Sequence, residues 1–241
     1  MVFISAALSN IRGVEHGFGT LDDKTRPPDL LYPDQQHGAG IVEAQGNEMA
    51  KAMKADALFT RSTRAIGVIT ADCLPLLVAS TQVPFVATIH AGWKGLVAGC
   101  ISNSIRAFVG AGIDTQALRF ALGPSIGSCC YEVSLSLLRT IEAAHGHIWE
   151  GREVPWSWAQ PAPAMRPHLQ PAAPHGGDAW LDLRTYCQDL LMFEGIARSQ
   201  IDGCAPCTYC STPTLGSYRR RQQRAEGKAF QYSWIRLTGA R

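Results

Sequence analysis

A cysteine and a histidine lie on two neighbouring strands that the sequence predicts to pair as a hairpin. Residues 70–95 read TADCLPLLVASTQVPFVATIHAGWKG, with two apolar runs around a short polar turn. The predicted register sets Ala79 opposite Pro84. Cys73 then opposes His90, with Cβ atoms about 4.5–5.5 Å apart. That separation suits a thiolate and an imidazole sharing one metal ion, or a cysteine nucleophile beside a histidine base.

A further histidine could complete a metal site. His37 lies in the polar stretch Gln35-Gln36-His37-Gly38. A histidine in such a loop usually has no role, and a lone cysteine or histidine elsewhere is more often a core residue. His37 therefore matters only as a third ligand beside Cys73 and His90. Three protein ligands with an open fourth position are typical of a catalytic zinc, which activates water or polarises substrate.

A second group of cysteines has metal-ligand spacing. Cys204, Cys207 and Cys210 form C-x-x-C-x-x-C, which could hold zinc or part of an iron–sulfur cluster. Such sites need four ligands. The obvious fourth cysteines do not form a familiar second pair; they are Cys187, Cys129 and Cys130. The alternative interpretation is a set of reduced thiols near the end of a strand.

Two segments could bind anions. Residues 123–127 (GPSIG) follow a predicted strand and either present backbone amides to an anion or form a plain turn. A basic run is formed by Arg219, Arg220, Arg221 and Arg224. This run is either a solvated surface or a phosphate or carboxylate site, with Arg219 as the candidate substrate ligand. The sequence contains no P-loop or Rossmann glycine pattern.

The elements that must position these residues alternate without a regular βαβ rhythm. Apolar runs predict strands at 2–7, 65–70, 74–79, 84–90, 118–122, 196–201 and 230–237. Helical periodicity predicts helices from 94 to about 110, over 134–144 and from an Asp182 cap to about 193. Recurring hairpins favour the α+β class. Residues 151–177 contain six prolines and predict an extended surface excursion.

Composition narrows the class of protein. The chain has 241 residues, 46% of them hydrophobic, and a net charge of +2, which excludes intrinsic disorder and disfavours partners that are nucleic-acid polymers. No apolar run reads as a signal peptide or a membrane span. We therefore expect a cytoplasmic protein without a membrane partner. In that compartment its eight cysteines are thiols or metal ligands rather than a disulfide framework.

Several segments, in order over nearly the whole chain, resemble one known family. They are HGF at 16–18, QHG at 36–38, DALFT at 56–60, TADCLP at 70–75, HAGWKG at 90–95, GP at 123–124, CCYEV at 129–133, LDL at 181–183, CT at 207–208 and SYRR at 217–220. The pair ADC-x-P and HAGWKG is the most specific. The chain thus resembles the laccase-domain family, also called multicopper polyphenol oxidase-like or peptidoglycan-editing-factor-like, whose members are described as purine nucleoside phosphorylases.

The resemblance implies one α+β domain over 1–241, with two mixed β-sheets flanked by helices and the excursion at 151–177. It implies a zinc site on His37, Cys73 and His90. It also implies phosphorolysis of adenosine, inosine, guanosine and methylthioadenosine, with purine nucleosides and inorganic phosphate as partners and some adenosine deamination. An older description of the same family implies copper-dependent oxidation of phenols.

Two segments depart from the family pattern. After Phe18 the family has an arginine and a Gly-Gly-Val-Ser loop, whereas here Gly19-Thr20-Leu21 leads almost at once to Pro27-Pro28. The phenylalanine pair before Ser-Tyr-Arg-Arg is replaced by Leu215-Gly216. If the missing loop covers substrate, binding or specificity is altered, and a disabled site would leave a binding module.

Three enzymatic hypotheses remain open at this point. The first is a zinc-dependent purine nucleoside phosphorylase. The second is a copper oxidase, which seven histidines and no histidine-rich pairs make chemically unfavourable. The third is an amide hydrolase acting on cell-wall precursors, with Cys73 as nucleophile and His90 as base.

Overall fold

The computed structural model describes residues 2–164, 170–203 and 205–239. Its strands are β1 (Val2–Phe3), β2 (Val14–Gly19), β3 (Ile41–Glu43), β4 (Ala57–Thr60), β5 (Ile66–Thr70), β6 (Leu74–Ser80), β7 (Val86–Ala91), β8 (Leu118–Leu122), β9 (Glu132–Val133), β10 (Trp156–Ser157), β11 (Ala179–Leu181), β12 (Ile201–Asp202) and β13 (Gln231–Leu237). Its α-helices are α1 (Ala6–Ser9), α2 (Trp93–Val97), α3 (Cys100–Gly110), α4 (Leu135–His145), α5 (Leu183–Phe193) and α6 (Tyr218–Arg224). Short 3-10 helices cover Thr115–Ala117, Gly146–Trp149 and Arg198–Gln200.

A six-stranded mixed sheet forms the middle layer, in the order β12-β8-β6-β7-β4-β3. The outer pairs β12/β8 and β3/β4 are parallel, and the inner pairs are antiparallel. Strand β6 is buried along its whole length, because both faces of the sheet are covered. Leu76 and Val78 face one core, while Leu77 and Ala79 face the other. This two-sided burial explains why the strand is continuously apolar rather than alternating.

An antiparallel four-stranded sheet, in the order β1-β2-β13-β5, covers one face of the middle layer. Phe18, Ile66 and Ile235 from this sheet share a core with Leu58 and Leu77 of the six-stranded sheet. Burying a large apolar side chain of this kind contributes about 1.5–3 kcal/mol. Strand β5 leads through a three-residue turn straight into β6. The chain therefore crosses from one sheet to the other within residues 71–73, and Cys73 is the last residue of this turn.

Helices α3, α4 and α5 cover the opposite face. Ile105 and Phe108 of α3, Ile141 of α4 and Tyr186 of α5 belong to one buried cluster with the six-stranded sheet. The helix predicted to run from residue 94 is divided in two. Gly99, at φ 87°, ends α2 and begins α3, since only glycine adopts the left-handed region at little cost.

The α+β class with sheets flanked by helices is confirmed. In the described part of the chain, only the six-stranded sheet is mixed, and a third, antiparallel sheet, β10-β11-β9, adds to the two large ones. Within 151–177, Trp156 is buried in β10. Gln160 donates to the carbonyl oxygens of Cys129 and Ala172. None of the described helices is long and apolar enough to cross a membrane.

The predicted register of the β6–β7 hairpin is wrong by two residues. His90 opposes Pro75, and Ala79 opposes Val86. The turn is longer than predicted because the Ser80 hydroxyl accepts hydrogen bonds from the amides of Gln82 and Val83, and the ladder closes only at Ser80 N–H to Phe85 carbonyl. A shift of two residues preserves the face on which each side chain lies.

Two other predicted strands are replaced in part by helical turns. At the start of the chain β1 ends at Phe3, and Ser5 caps α1 by accepting the Leu8 amide. The segment predicted as a strand over 196–201 is a 3-10 turn, Arg198–Gln200, followed by β12. Its buried Gln200 donates to the Thr115 and Leu118 carbonyls. In both places side-chain hydrogen bonds to the backbone outweigh strand propensity.

Candidate metal centre and active-site cleft

Cys73 lies at the end of the turn that joins the two large sheets. The turn requires Asp72 to adopt φ 88°, a left-handed conformation that Asp tolerates better than most residues. The sulfur packs against Gly92, where an added Cβ would stand 2.9 Å from Cys73 Sγ. The glycine of HAGW therefore leaves the space that lets the thiol reach the histidines.

His90 is held by a buried carboxylate. It lies in β7, beside β4, and its Nδ1 is 2.8 Å from Asp56 Oδ1. The His90 amide also donates to the Asp56 carbonyl at 2.7 Å. Both side chains are almost fully buried, at 2% and 1% exposure. A carboxylate can only accept, so Nδ1 carries the proton. The other ring nitrogen, Nε2, is then the one that can bind a metal.

The same carboxylate shapes the loop that carries His37. The amides of Gln36, His37 and Gly38 donate to Asp56 at 3.2, 2.9 and 2.7 Å. His37 has φ 55°, a positive value that these hydrogen bonds stabilise. Its ring meets that of His90 edge to face, with centroids 4.8 Å apart. Asp56 thus positions both histidines.

The donor atoms of His37, Cys73 and His90 all lie within 4.8 Å of one another; we call these residues the cleft cluster. Burial opposes ionisation of Cys73, but hydrogen bonds and positive charge from His37 and His90 lower the pKa of its thiol to about 7. Burial also opposes protonation of His90, yet Asp56 and Cys73 raise its pKa to about 9. Two imidazoles, a thiol that ionises readily and an orienting carboxylate fit a zinc ion with one open position.

A cleft of about 920 Å³ opens above the cleft cluster. Its lining includes aromatic side chains, Trp93, Tyr131, Tyr218, Phe230 and Tyr232, and cationic ones, Lys51, Lys94, Arg219, Arg221 and Lys228. Tyr218 and Phe230 are about half exposed. The cleft is large enough for a small molecule. Flat apolar faces beside cations suit a ligand with an aromatic base and an anionic group.

The basic run has divided roles. Arg219 lines the cleft, donates to the carbonyl oxygens of Cys130 and Glu132, and lies over the Tyr131 ring at 5.5 Å. Arg220 is buried and donates to the Thr208, Tyr209 and Leu215 carbonyls. Its role is therefore structural, whereas Arg219 and Arg221 face the cleft.

Asp72 connects the cleft to a second group of loops. Its carboxylate accepts hydrogen bonds from the hydroxyls of Thr208 and Ser217 and from the Arg219 amide. Burial raises the pKa of this carboxyl, against the lowering effect of the hydrogen bonds. The residue before Cys73 thus fixes the start of α6, where Arg219 lies.

The structure groups the cysteines differently from the C-x-x-C-x-x-C pattern in the sequence. Cys207 and Cys210 meet Cys129 and Cys130, with all four sulfurs within 4.8 Å; we call these residues the cysteine cluster. Hydrogen bonds from the other three thiols lower the pKa of Cys207. Of the other cysteines considered, Cys187 is buried in α5, and Cys204 lies outside the described residues.

Sequence reasoning missed Asp56 and Tyr131 as parts of the site. Asp56 is the first residue of DALFT, and an aspartate at the start of an apolar strand is a costly residue to bury without partners. Tyr131 follows the two cysteines and lines the cleft. The signal for Asp56 was present, whereas nothing local indicates the position of Tyr131.

The fold and the site together define an α+β protein that carries a His/Cys/His donor set at the floor of a cleft. The model of one family, described as "Multi-copper polyphenol oxidoreductase laccase", matches residues 13–236. The chain belongs to this family.

The chain is also similar to several named proteins and, in its fold, to solved structures. The chain is 28% identical over 210 residues to "Purine nucleoside phosphorylase YfiH" of Escherichia coli (strain K12), covering 87% of this chain and 75% of that one. It is 27% identical over 201 residues to "Adenosine deaminase RL5" of an unknown prokaryotic organism, covering 80% and 70%. Its fold is similar to YlmD from Geobacillus stearothermophilus, with a TM-score of 0.78 and 19% identity over 97% of this chain and 94% of that one.

Proposed function

We propose that this protein is a purine nucleoside phosphorylase whose cleft cluster holds a zinc ion. The observation that carries the proposal is the convergence of His37, Cys73 and His90 donor atoms within 4.8 Å at the floor of the cleft. A donor set of this kind with an open side is typical of catalytic rather than structural zinc. Zinc bound there would supply a Lewis acid and a coordination position for phosphate or water.

The substrate class is supported by two independent features. Relatives that cover most of the chain are named purine nucleoside phosphorylases, and the cleft combines aromatic faces with cations. A purine can stack on Phe230 or Tyr218, which line the cleft and are about half exposed. Guanidinium and ammonium groups suit phosphate, and Arg219 lines the same cleft as the cleft cluster.

The proposed reaction is phosphorolysis of the N-glycosidic bond. A phosphate oxygen forms a bond to the ribose anomeric carbon, and the bond from that carbon to purine N9 breaks. The electron pair of the broken bond goes to the purine, which takes up a proton and leaves as the free base, with ribose 1-phosphate as the second product. Arg219 orients the phosphate oxygens, while Asp56 keeps the His90 ring fixed through its 2.8 Å hydrogen bond.

The test is a phosphate-dependent assay with zinc-loaded protein. Inosine and phosphate are expected to give hypoxanthine and ribose 1-phosphate, and release of the base should stop when phosphate is omitted. His90→Ala and Cys73→Ala should abolish turnover, whereas His147→Ala, at an exposed histidine that packs on Phe193, should retain it. Failure of the zinc-loaded protein to cleave adenosine, inosine, guanosine and methylthioadenosine overturns the proposal.

Adenosine deamination is a second candidate activity of the same cleft, favoured by the relative named "Adenosine deaminase RL5". Here water would add to purine C6 and ammonia would leave, so the reaction consumes no phosphate. Formation of inosine and ammonia from adenosine in phosphate-free buffer supports it. Adenine as the sole product, and only with phosphate present, contradicts it.

The two remaining hypotheses give separate results in the same preparations. A copper oxidase would purify with copper and oxidise phenols with uptake of oxygen. An amide hydrolase using Cys73 and His90 would keep its activity in a chelator and lose it when iodoacetamide alkylates Cys73. The zinc phosphorylase is expected to lose its activity in the chelator.

A further inference from the structure

Four cysteines from two distant parts of the chain meet beside the cleft without forming part of its floor. Cys129 and Cys130 follow β8, whereas Cys207 and Cys210 follow β12. The sulfur separations are 3.7 Å for Cys129–Cys130, 3.9 Å for Cys129–Cys210 and 3.4 Å for Cys130–Cys210. All four sulfurs lie within 4.8 Å of one another.

These separations match the edges of a tetrahedron around one metal ion. Four thiolates at about 2.3 Å from zinc are about 3.8 Å from each other in ideal tetrahedral geometry. Disulfide sulfurs stand about 2.05 Å apart, and all four cysteines are free. An iron–sulfur cluster would place several iron and sulfide atoms between its ligands and needs wider spacing. One ion therefore fits the cysteine cluster better than a disulfide or a polynuclear centre.

We propose that Cys129, Cys130, Cys207 and Cys210 bind a zinc ion in a closed, structural site. Tetrahedral all-sulfur coordination is typical of zinc, and a complete set of four protein ligands leaves no position for substrate.

Backbone groups around the sulfurs support thiolate ligation. The Gly127 amide donates to Cys207 Sγ at 3.2 Å, and the Ala172 amide donates to Cys130 Sγ at 3.4 Å. Hydrogen bonds to ligand sulfurs spread the negative charge of a metal thiolate. Gly127 also permits the close approach, because a Cβ there would stand 3.2 Å from Cys207 Cβ and 3.4 Å from Cys129 Sγ.

The hydrophobic core around the cysteine cluster is small. It contains six buried residues, of which three are cysteines, the others being Ile126, Ala172 and Tyr209. An isolated bridge joins Ser125 to Cys207, and the Thr208 amide donates to the Ser125 carbonyl at 3.0 Å. A metal that joins the two loops would supply the cross-link that so small a core lacks.

The zinc would act on the cleft through the backbone next to its ligands. Tyr131 follows Cys130 and lines the cleft. Thr208 follows Cys207 and donates to Asp72, which itself binds the Arg219 amide. Removal of the ion should therefore loosen the wall of the cleft and leave the cleft cluster in place.

Metal analysis of full-length variants purified without added metal tests the proposal. In a Cys73→Ser background, which removes a ligand of the cleft cluster, about one zinc per chain should remain. Adding Cys207→Ser and Cys210→Ser should abolish this zinc and lower Tm by about 10 °C. Cys187→Ala is the matched control at a buried cysteine outside both clusters and should retain the ion. Cys204→Ala should retain it too, because four ligands are already present.

A second measurement does not depend on whether the triple variant folds. In the Cys73→Ser protein, an organomercurial should release the zinc to a chromogenic chelator as the thiols of the cysteine cluster are titrated. Cobalt exchanged into the same protein should give the intense visible and sulfur-to-metal bands of a tetrathiolate. Stoichiometric iron or copper instead of zinc, a disulfide within the cluster, or free reaction of its thiols in metal-free native protein would each overturn the proposal.

Discussion

The cleft cluster and the cysteine cluster are two groups of metal-type ligands that differ in their surroundings. The first has mixed nitrogen and sulfur donors, an exposed member in His37, and the open cleft above it. The second has only sulfur donors, three of which are buried. The groups that hold the ligands also differ, since the Asp56 carboxylate fixes the histidines, whereas backbone amides donate to the sulfurs.

If both proposals hold, this difference separates a catalytic metal site from a structural one. Three ligands and an open side allow substrate to reach a metal, while four ligands saturate it. The Thr208–Asp72 hydrogen bond connects the two clusters through the residues adjacent to Cys207 and Cys73. Variants of the two clusters should therefore separate loss of activity from loss of stability.

Exchanging one cysteine in each cluster for serine should give opposite phenotypes. Cys73→Ser should reduce kcat/KM about a thousand-fold or more, since a Lewis acid contributes several kcal/mol of charge stabilisation, with Tm changed by only a few degrees. Cys207→Ser should lower Tm by about 10 °C, and this variant should keep measurable turnover at temperatures well below its own Tm. Phosphorolysis assays and thermal unfolding measure both. Equal loss of activity and stability in the two variants would contradict the division.

Asp56→Asn should weaken zinc binding at the cleft cluster and leave the cysteine cluster occupied. The amide cannot accept from the histidine and all three loop amides at once. Loss of an orienting carboxylate typically costs about 10–100-fold in metal affinity or activity. Chelator competition measures the affinity, and Asp29→Asn, at an exposed carboxylate, is the control. An unchanged zinc dissociation constant would show that Asp56 serves the fold alone.

Arg219→Lys should raise the KM for phosphate about tenfold, because an ammonium group cannot replace the two-pronged guanidinium contact. The KM for nucleoside should stay within about a factor of two. Arg224→Lys, at an exposed arginine stacked over Tyr209, should leave both values unchanged. Steady-state kinetics at varied phosphate concentration measures the KM for phosphate. An unaltered value would show that Arg219 does not bind phosphate.

Phe230→Ala should have the smallest effect, a rise of a few-fold in the KM for nucleoside, as expected when stacking worth about 1 kcal/mol is lost. Phe230 is 48% exposed, so Tm should hardly change. Phe193→Ala, at another exposed phenylalanine away from the cleft, is the matched control. Equal KM values in the two variants would place the purine elsewhere in the cleft.

Local patterns in the sequence predicted the elements better than their pairing. The strands at 66–70, 74–80 and 118–122, and the Asp182 cap, follow from apolar runs and capping chemistry. The register of the β6–β7 hairpin does not, because the Ser80 hydroxyl lengthens the turn through hydrogen bonds that apolar alternation cannot reveal. The error of two residues still left Cys73 and His90 on the same face.

The grouping of cysteines was harder to predict than that of the cleft residues. Cys207 and Cys210 meet Cys129 and Cys130 through the isolated bridge between Ser125 and Cys207, a contact between loops about eighty residues apart that no spacing within either loop indicates. For the basic run, residue type alone could not distinguish the buried Arg220 from Arg219. That distinction depends on burial, because Arg220 is enclosed by the protein, whereas Arg219 lines the cleft.

The position of β13 has a consequence for folding during synthesis. This strand is encoded last among the described elements, yet it lies between β2 and β5. Until residues 231–237 have been synthesised, β5 lacks its neighbour β13 and cannot join β1 and β2 in the four-stranded sheet. Because β5 leads directly to Cys73, we expect the cleft to become ordered late, after the helical face of the molecule has packed.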